Sequence, residues 1–160
     1  MFGDNPQAGT FSVRVGPADF DPGREVASLE AKIAGAGALV TFQGIVRGDA
    51  TLVALEIEHY PAMTDAALSE IAAHAGARWP LAGVRIVHRV GRLGAGDRIM
   101  MVATASRHRR EAFEAAEFLM DYLKSRAPFW KKEHFADGTA RWVEARDEDE
   151  AALGRWGADI

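Results

Sequence analysis

Three of the chain's four lysines, Lys124, Lys131 and Lys132, fall within nine residues, whereas its fifteen arginines are spread along the chain. An arginine keeps its proton in any protein setting. A lysine amine brought into an apolar pocket, or beside another cation, can lose its proton near neutral pH. Such a cluster suits proton transfer or a transient covalent bond through the amine. It equally suits the basic end of a helix, where a cation offsets the dipole. Pro128 stands between Lys124 and Lys131 and must end any helix that carries Lys124. Past that bend, strand alternation puts Phe129, Lys131, Glu133 and Phe135 on one face, with Trp130, Lys132 and His134 on the other. Each face sets a lysine among aromatic rings, surroundings that suit an aromatic heterocycle.

A second basic cluster, Ser106-Arg107-His108-Arg109-Arg110, opens the same expected helix. Cations there oppose the helix dipole, so they point to a bound anion such as phosphate, or else to a solvated face paired with Glu111 and Glu114. Arg47 closes the run Thr41-Phe42-Gln43-Gly44-Ile45-Val46-Arg47, in which Gly44 signals a bulge or a close approach. Other chemistries lack their parts. The histidines, His59, His74, His88, His108 and His134, show no paired ligand spacing, and His88 on its alternating strand reads as a core or interface histidine. There is no nucleophile elbow and no P-loop. The chain has no cysteine, so any sulfur chemistry must use sulfur brought by another molecule.

The elements that must position these residues follow from the pattern. With 48% hydrophobic and 26% charged residues, the 160-residue chain fits one domain spanning residues 1–160. A net charge of -4 argues against general nucleic-acid binding. The opening Met1-Phe2-Gly3-Asp4-Asn5-Pro6 does not read as a leader, and no apolar run is long enough to span a membrane, so a cytoplasmic protein is expected. Strand patterns cover 11–15, 38–47 and 52–60, the last two expected to pair across Gly48-Asp49. A helix over 23–33 stops at Gly35-Ala36-Gly37, and Pro61 opens another to residue 78. Residues 83–90 and 97–105 are expected as a hairpin around Gly94-Ala95-Gly96-Asp97. A helix over 107–126 carries Phe113, Ala116, Met120 and Leu123 at helical spacing. Short strands over 129–135 and 140–144 and a last helical piece after Glu148-Asp149-Glu150 complete an α+β, mostly antiparallel order.

These stretches resemble the catalytic large subunit of molybdopterin synthase. The resemblance is carried by Phe42-Gln43-Gly44-Ile45-Val46-Arg47, by Leu55-Glu56-Ile57-Glu58-His59-Tyr60-Pro61-Ala62-Met63, by His88-Arg89-Val90-Gly91 and by His108-Arg109 with Ala112-Phe113. Its longest parts are Met120-Asp121-Tyr122-Leu123-Lys124-Ser125-Arg126-Ala127-Pro128-Phe129-Trp130-Lys131-Lys132-Glu133 and Arg141-Trp142-Val143-Glu144-Ala145-Arg146. Membership implies an α/β-hammerhead fold with an additional small antiparallel β-subdomain. It implies a homodimer within a heterotetramer, each large subunit binding a small ubiquitin-like sulfur carrier. The carrier's C-terminal thiocarboxylate would give sulfur to cyclic pyranopterin monophosphate, forming the dithiolene of molybdopterin, with no cofactor bound by this chain.

The resemblance also implies roles for particular residues. Lys124 and Lys131 would be catalytic. Ile45, Val46, Arg47, His108, Arg109, Lys132, Glu133 and Arg146 would bind substrate, with Arg146 donated from the neighbouring subunit. Phe42 and Met120 would line the pocket for the partner's tail. Two departures stand out: the loop after Arg47 is short where family members carry a longer Asn/Gly-rich one, and Asp137-Gly138-Thr139-Ala140 is slightly long, which loosens the register of Arg146. Two rival uses of the basic residues stay open, a binding module without turnover and an RNA-binding patch.

Overall fold

The computed structural model describes residues 10–144 and 146–157, so the amino-terminal residues read for a leader lie outside the described ones. In chain order the elements are β1 (Phe11–Gly16), α1 (Pro22–Glu30), β2 (Ala38–Ile45), β3 (Leu52–His59), α2 (Pro61–Arg78) and β4 (Leu81–Arg89). They continue with β5 (Gly91–Gly94), β6 (Arg98–Ser106), α3 (Arg109–Ser125), β7 (Phe129–Phe135), β8 (Ala140–Trp142) and α4 (Asp147–Gly154).

The strands form two four-stranded sheets, ordered β1-β4-β6-β2 and β5-β3-β7-β8. Only β1 and β4 run parallel; the other described pairs are antiparallel. β4 and β6 are buried along most of their length because they are covered on both faces. On one side α2 and α3 bring Leu68, Ile71, Ala75, Phe118 and Leu119 against Val84, Ile86, Met100 and Val102. On the other, Phe20 and Leu29 pack on Val87, Met101 and Ala103. Double coverage explains why both strands are buried at successive positions with little alternation. A smaller cluster, Val46, Ile57, Val90 and Leu93, lies between the two sheets. The result is the expected mixed α+β architecture, with the second sheet as the small antiparallel subdomain.

Several local expectations need correction. β2 and β3 do not pair with each other: β2 joins β6, and β3 joins β5 and β7. The connecting loop is tied instead to the turn before β6, through Val46 N–H to the Asp97 carbonyl at 2.9 Å and Gly96 N–H to the Val46 carbonyl at 2.9 Å. A Cβ on Gly48 would stand 2.1 Å from that of Ala95, so glycine is what lets the two backbones meet. This knot diverts the chain from one sheet to the other. β4 and β6 do pair, but the expected hairpin is interrupted, since Gly91, at φ +91°, turns the chain out to form β5 in the second sheet. The bulge expected at Gly44 is present as a register shift between Gly44 and Ile45.

On α3 the buried stripe is Ala112, Ala115, Ala116, Leu119 and Leu123, with Phe118. Phe113 is 61% exposed, so the stripe is rotated from the one expected. Small alanines let the helix sit close on the sheet, and that choice decided which face turned inward.

Candidate active site

The lysine pair is assembled by one bend. α3 ends at Ser125, and Ala127 N–H reaches back to the Tyr122 carbonyl at 3.2 Å while Phe129 N–H bonds the Ala127 carbonyl at 2.8 Å around Pro128. The chain then enters β7 beside β3, with Lys131 opposite Ile57. Two adjoining cavities, of about 340 and 380 Å³, share a wall that includes Arg47, Leu123, Lys124, Lys131 and Arg146. The first is completed by Val46, Phe129, Glu133, Glu144 and Asp149, among others. The second is completed by Phe42, Gln43, Ile45, His88, Met100 and Met120. Carboxylates line the first cavity; the second has four cationic side chains and none of the opposite sign.

Burial pulls the Lys131 amine down from 10.5 to about 8, the neighbouring Lys124 charge pulls it further, and Asp149 partly restores it. An amine in that range exchanges protons readily at neutral pH, which is what general acid–base or nucleophilic chemistry requires. The short loop after β2 holds Arg47 at the cavity. Its Asp49 carboxylate accepts from Thr51 N–H and Leu52 N–H at 2.7 and 2.8 Å, which holds its pKa down at about 2.

The structure brings together Lys124, Lys131, Arg47, Val46, Glu133, Ile45, Phe42, Met120 and Arg146. Arg146 lines the cavity from its own chain, just before α4. Lys132 is not part of the wall. It projects from the opposite face of β7 and lies over the Trp142 ring at 5.3 Å. His108 and Arg109 are not part of it either. They stand at the other end of α3, about 22 Å of helix from Lys124 at 1.5 Å per residue. Within one chain the helix start and the lysine pair therefore lie apart, because a straight helix keeps its ends apart.

The wall residues that the sequence reading did not single out include Gln43, Met100, Glu144 and Asp149, the last part of an acidic run with no evident target. His88 is buried, as its core reading implies, and also lines the second cavity while stacked on Phe129 at 3.9 Å.

A two-sheet α+β chain with a lysine pair flanked by two arginines on a cavity wall has the form of a pocket for an anionic ligand. The MoaE protein family matches residues 15–126. The molybdopterin synthase catalytic subunit of Cereibacter sphaeroides is 59% identical over 138 residues, covering 86% of this chain and 94% of that protein. Among solved structures, the molybdopterin cofactor biosynthesis protein E of Burkholderia multivorans is 53% identical with a TM-score of 0.80, over 94% of this chain and 99% of that one. A complex of subunits 1 and 2 of molybdopterin-converting factor from Helicobacter pylori shares the fold at 20% identity and a TM-score of 0.66, over 86% of this chain and 91% of that one. The chain belongs to the MoaE family, the catalytic subunits of molybdopterin synthase, enzymes of molybdenum-cofactor biosynthesis. No helix among the described residues is long and apolar enough to cross a membrane.

Proposed function

We propose that this cavity transfers sulfur from the C-terminal thiocarboxylate of a small ubiquitin-like partner to cyclic pyranopterin monophosphate. The observation that carries the reading is the enclosed amine of Lys131 beside Lys124, flanked by Arg47 and Arg146. The tail enters between Phe42 and Met120, with Ile45 at the mouth, while the phosphate is held by Arg47 and Arg146. The thiocarboxylate sulfur forms a C–S bond to a substrate carbon, and the displaced oxygen leaves with a proton given by a lysine ammonium. Water then breaks the acyl C–S bond, its proton taken by a lysine amine, so the tail leaves as a carboxylate and sulfur stays on the substrate. Repeated once, this gives the dithiolene. Val46 and Glu133 complete the substrate-side wall. Sulfur arrives on the partner, consistent with a chain that has no cysteine and, on this reading, no bound cofactor.

The same reading places the enzyme in the cytoplasm as a homodimer within a heterotetramer. Arg107 and Arg109 make no ion pair among the described residues, which leaves that helix start available to an anion in a second copy's cavity. Support for the small partner is that the Helicobacter pylori relative was solved as a two-subunit complex. The test is a turnover assay with thiocarboxylated partner and precursor. Product should form with the wild type, none with a carboxylate-ended partner, and little with Lys124→Ala. Binding without product in the wild type would reduce the chain to a holding module.

A further inference from the structure

His88 sits on β4 opposite Met100, 3% exposed, its ring stacked on Phe129 at 3.9 Å and 15°. Its Nδ1 lies 2.8 Å from the Arg89 carbonyl oxygen. A carbonyl only accepts, so Nδ1 carries the hydrogen and Nε2 presents a lone pair. Nε2 has no hydrogen-bond partner among the described residues. It is also absent from the sealed, unpartnered side-chain atoms, which are Glu111 Oε2 and Ser125 Oγ. The lone pair therefore opens onto the cavity that His88 lines.

That cavity is rich in donors and poor in acceptors. In their charged forms Arg47, Lys124, Lys131 and Arg146 can only donate, and besides His88 the Gln43 amide is the one other nitrogen- or oxygen-bearing side chain there able to accept. A peptide tail ending at the lysine pair has its carbonyls and terminal charge amply served. Its backbone N–H groups need an acceptor, and burying one unpaired is costly. Burial also holds the ring neutral, with its pKa near 3; the Arg89 carbonyl pulls that up, while Lys131, Lys124 and His59 push it down.

We propose that His88 Nε2 accepts a hydrogen bond from the backbone N–H of the last residue of the partner's tail, making His88 a positioning residue that sets the thiocarboxylate against Lys124 and Lys131. The inference rests on the functional reading above and adds a contact to it.

Steady-state kinetics with thiocarboxylated partner and precursor test it. His88→Phe keeps the stack but lacks the acceptor, and should raise KM for the partner about tenfold while leaving KM for the precursor within about twofold. His88→Gln, which retains an acceptor, should recover most of the loss. A partner ending in N-methylglycine thiocarboxylate removes the hydrogen from the ligand side. It should cost the wild type about tenfold and His88→Phe nothing further, the non-additivity expected of two halves of one contact. This arm also decides the matter on unaltered protein should His88→Phe fail to fold, since full affinity of the wild type for the methylated tail overturns the contact. An unchanged partner KM in folded His88→Phe, or a raised precursor KM instead, overturns it as well. No wild-type turnover at all would overturn the enzymatic reading and this inference together, whereas turnover indifferent to His88→Phe overturns this inference alone.

Discussion

The two ends of α3 carry similar charge and meet opposite fates. At the C-terminal end, Lys124 benefits from the helix dipole and faces a cavity with Lys131, Arg47 and Arg146. At the N-terminal end, Arg107, His108 and Arg109 are exposed, oppose the dipole, and line no cavity described for this chain. Charge count alone separates nothing here. Company does: Lys124 shares a cavity wall with Lys131, whose amine is lowered by burial and by the Lys124 charge beside it.

The sharpest way to break this contrast is to remove the amine that the helix itself brings to the cavity wall. Lys124→Ala should lower kcat by about 10²–10⁴-fold, the range for loss of an acid–base or nucleophilic group, with the circular dichroism spectrum unchanged. Turnover within about tenfold of wild type would take Lys124 out of the chemistry.

Lys131→Arg is next, at about 10²-fold in kcat, since arginine keeps the charge but cannot release a proton. A wild-type pH–rate profile should rise as the Lys131 amine is freed around pH 8, and that limb should vanish in the variant. Stability supplies a second readout. The folded-state pKa of about 8 lies below the ordinary 10.5, so between those values the unfolded chain holds the extra proton and stability climbs with pH. Lys131→Met should therefore raise Tm most below pH 8, with the gain shrinking toward 10.5. A gain independent of pH would mean the amine is not buried.

How much of this could be read beforehand depended on whether the signal was local. The bend at Pro128 and the alternation of β7 are local, and both faces of that strand stand as the alternation implied, Lys131 toward the cavity and Lys132 toward Trp142. The family motifs likewise lie in continuous stretches. What the residues hid was long-range. Nothing in Gly48-Asp49 says that the loop is tied to Asp97, so two adjacent strands looked like partners when they belong to different sheets. That Arg146 lines its own chain's cavity was hidden because α4, which follows it, buries only Leu153 among its residues and shows little amphipathic pattern. His88 is buried as its strand pattern implied, but that pattern could not show that the side chain also borders a cavity.

The N-terminal end of α3 gives a smaller expected effect and a test of where it acts. Arg109→Ala should raise KM for the phosphorylated precursor about tenfold, as for one lost charge-assisted contact. If the helix start serves a second copy's cavity, mixing Lys124→Ala with Arg109→Ala chains creates dimers in which one cavity carries both lesions and the other carries neither. Activity should then reappear on mixing at low precursor concentration. No recovery would keep each lesion's effect within its own chain, against a 22 Å separation (about 1.5 Å for each residue of α3) that one copy cannot close.

The smallest effect is expected at Lys132, next to Lys131 in sequence and opposite it in space. Its ammonium lies over the half-exposed Trp142 ring, a contact worth about 0.5–1 kcal/mol at such a site. Lys132→Ala should therefore shave stability by that order while leaving kcat and both KM values within about twofold. The pair makes the comparison internal to one strand. Were Lys132→Ala to cost as much turnover as Lys131→Arg, charge density around the bend would matter more than which face an amine occupies, and a place on the cavity wall would no longer distinguish the two ends of the helix.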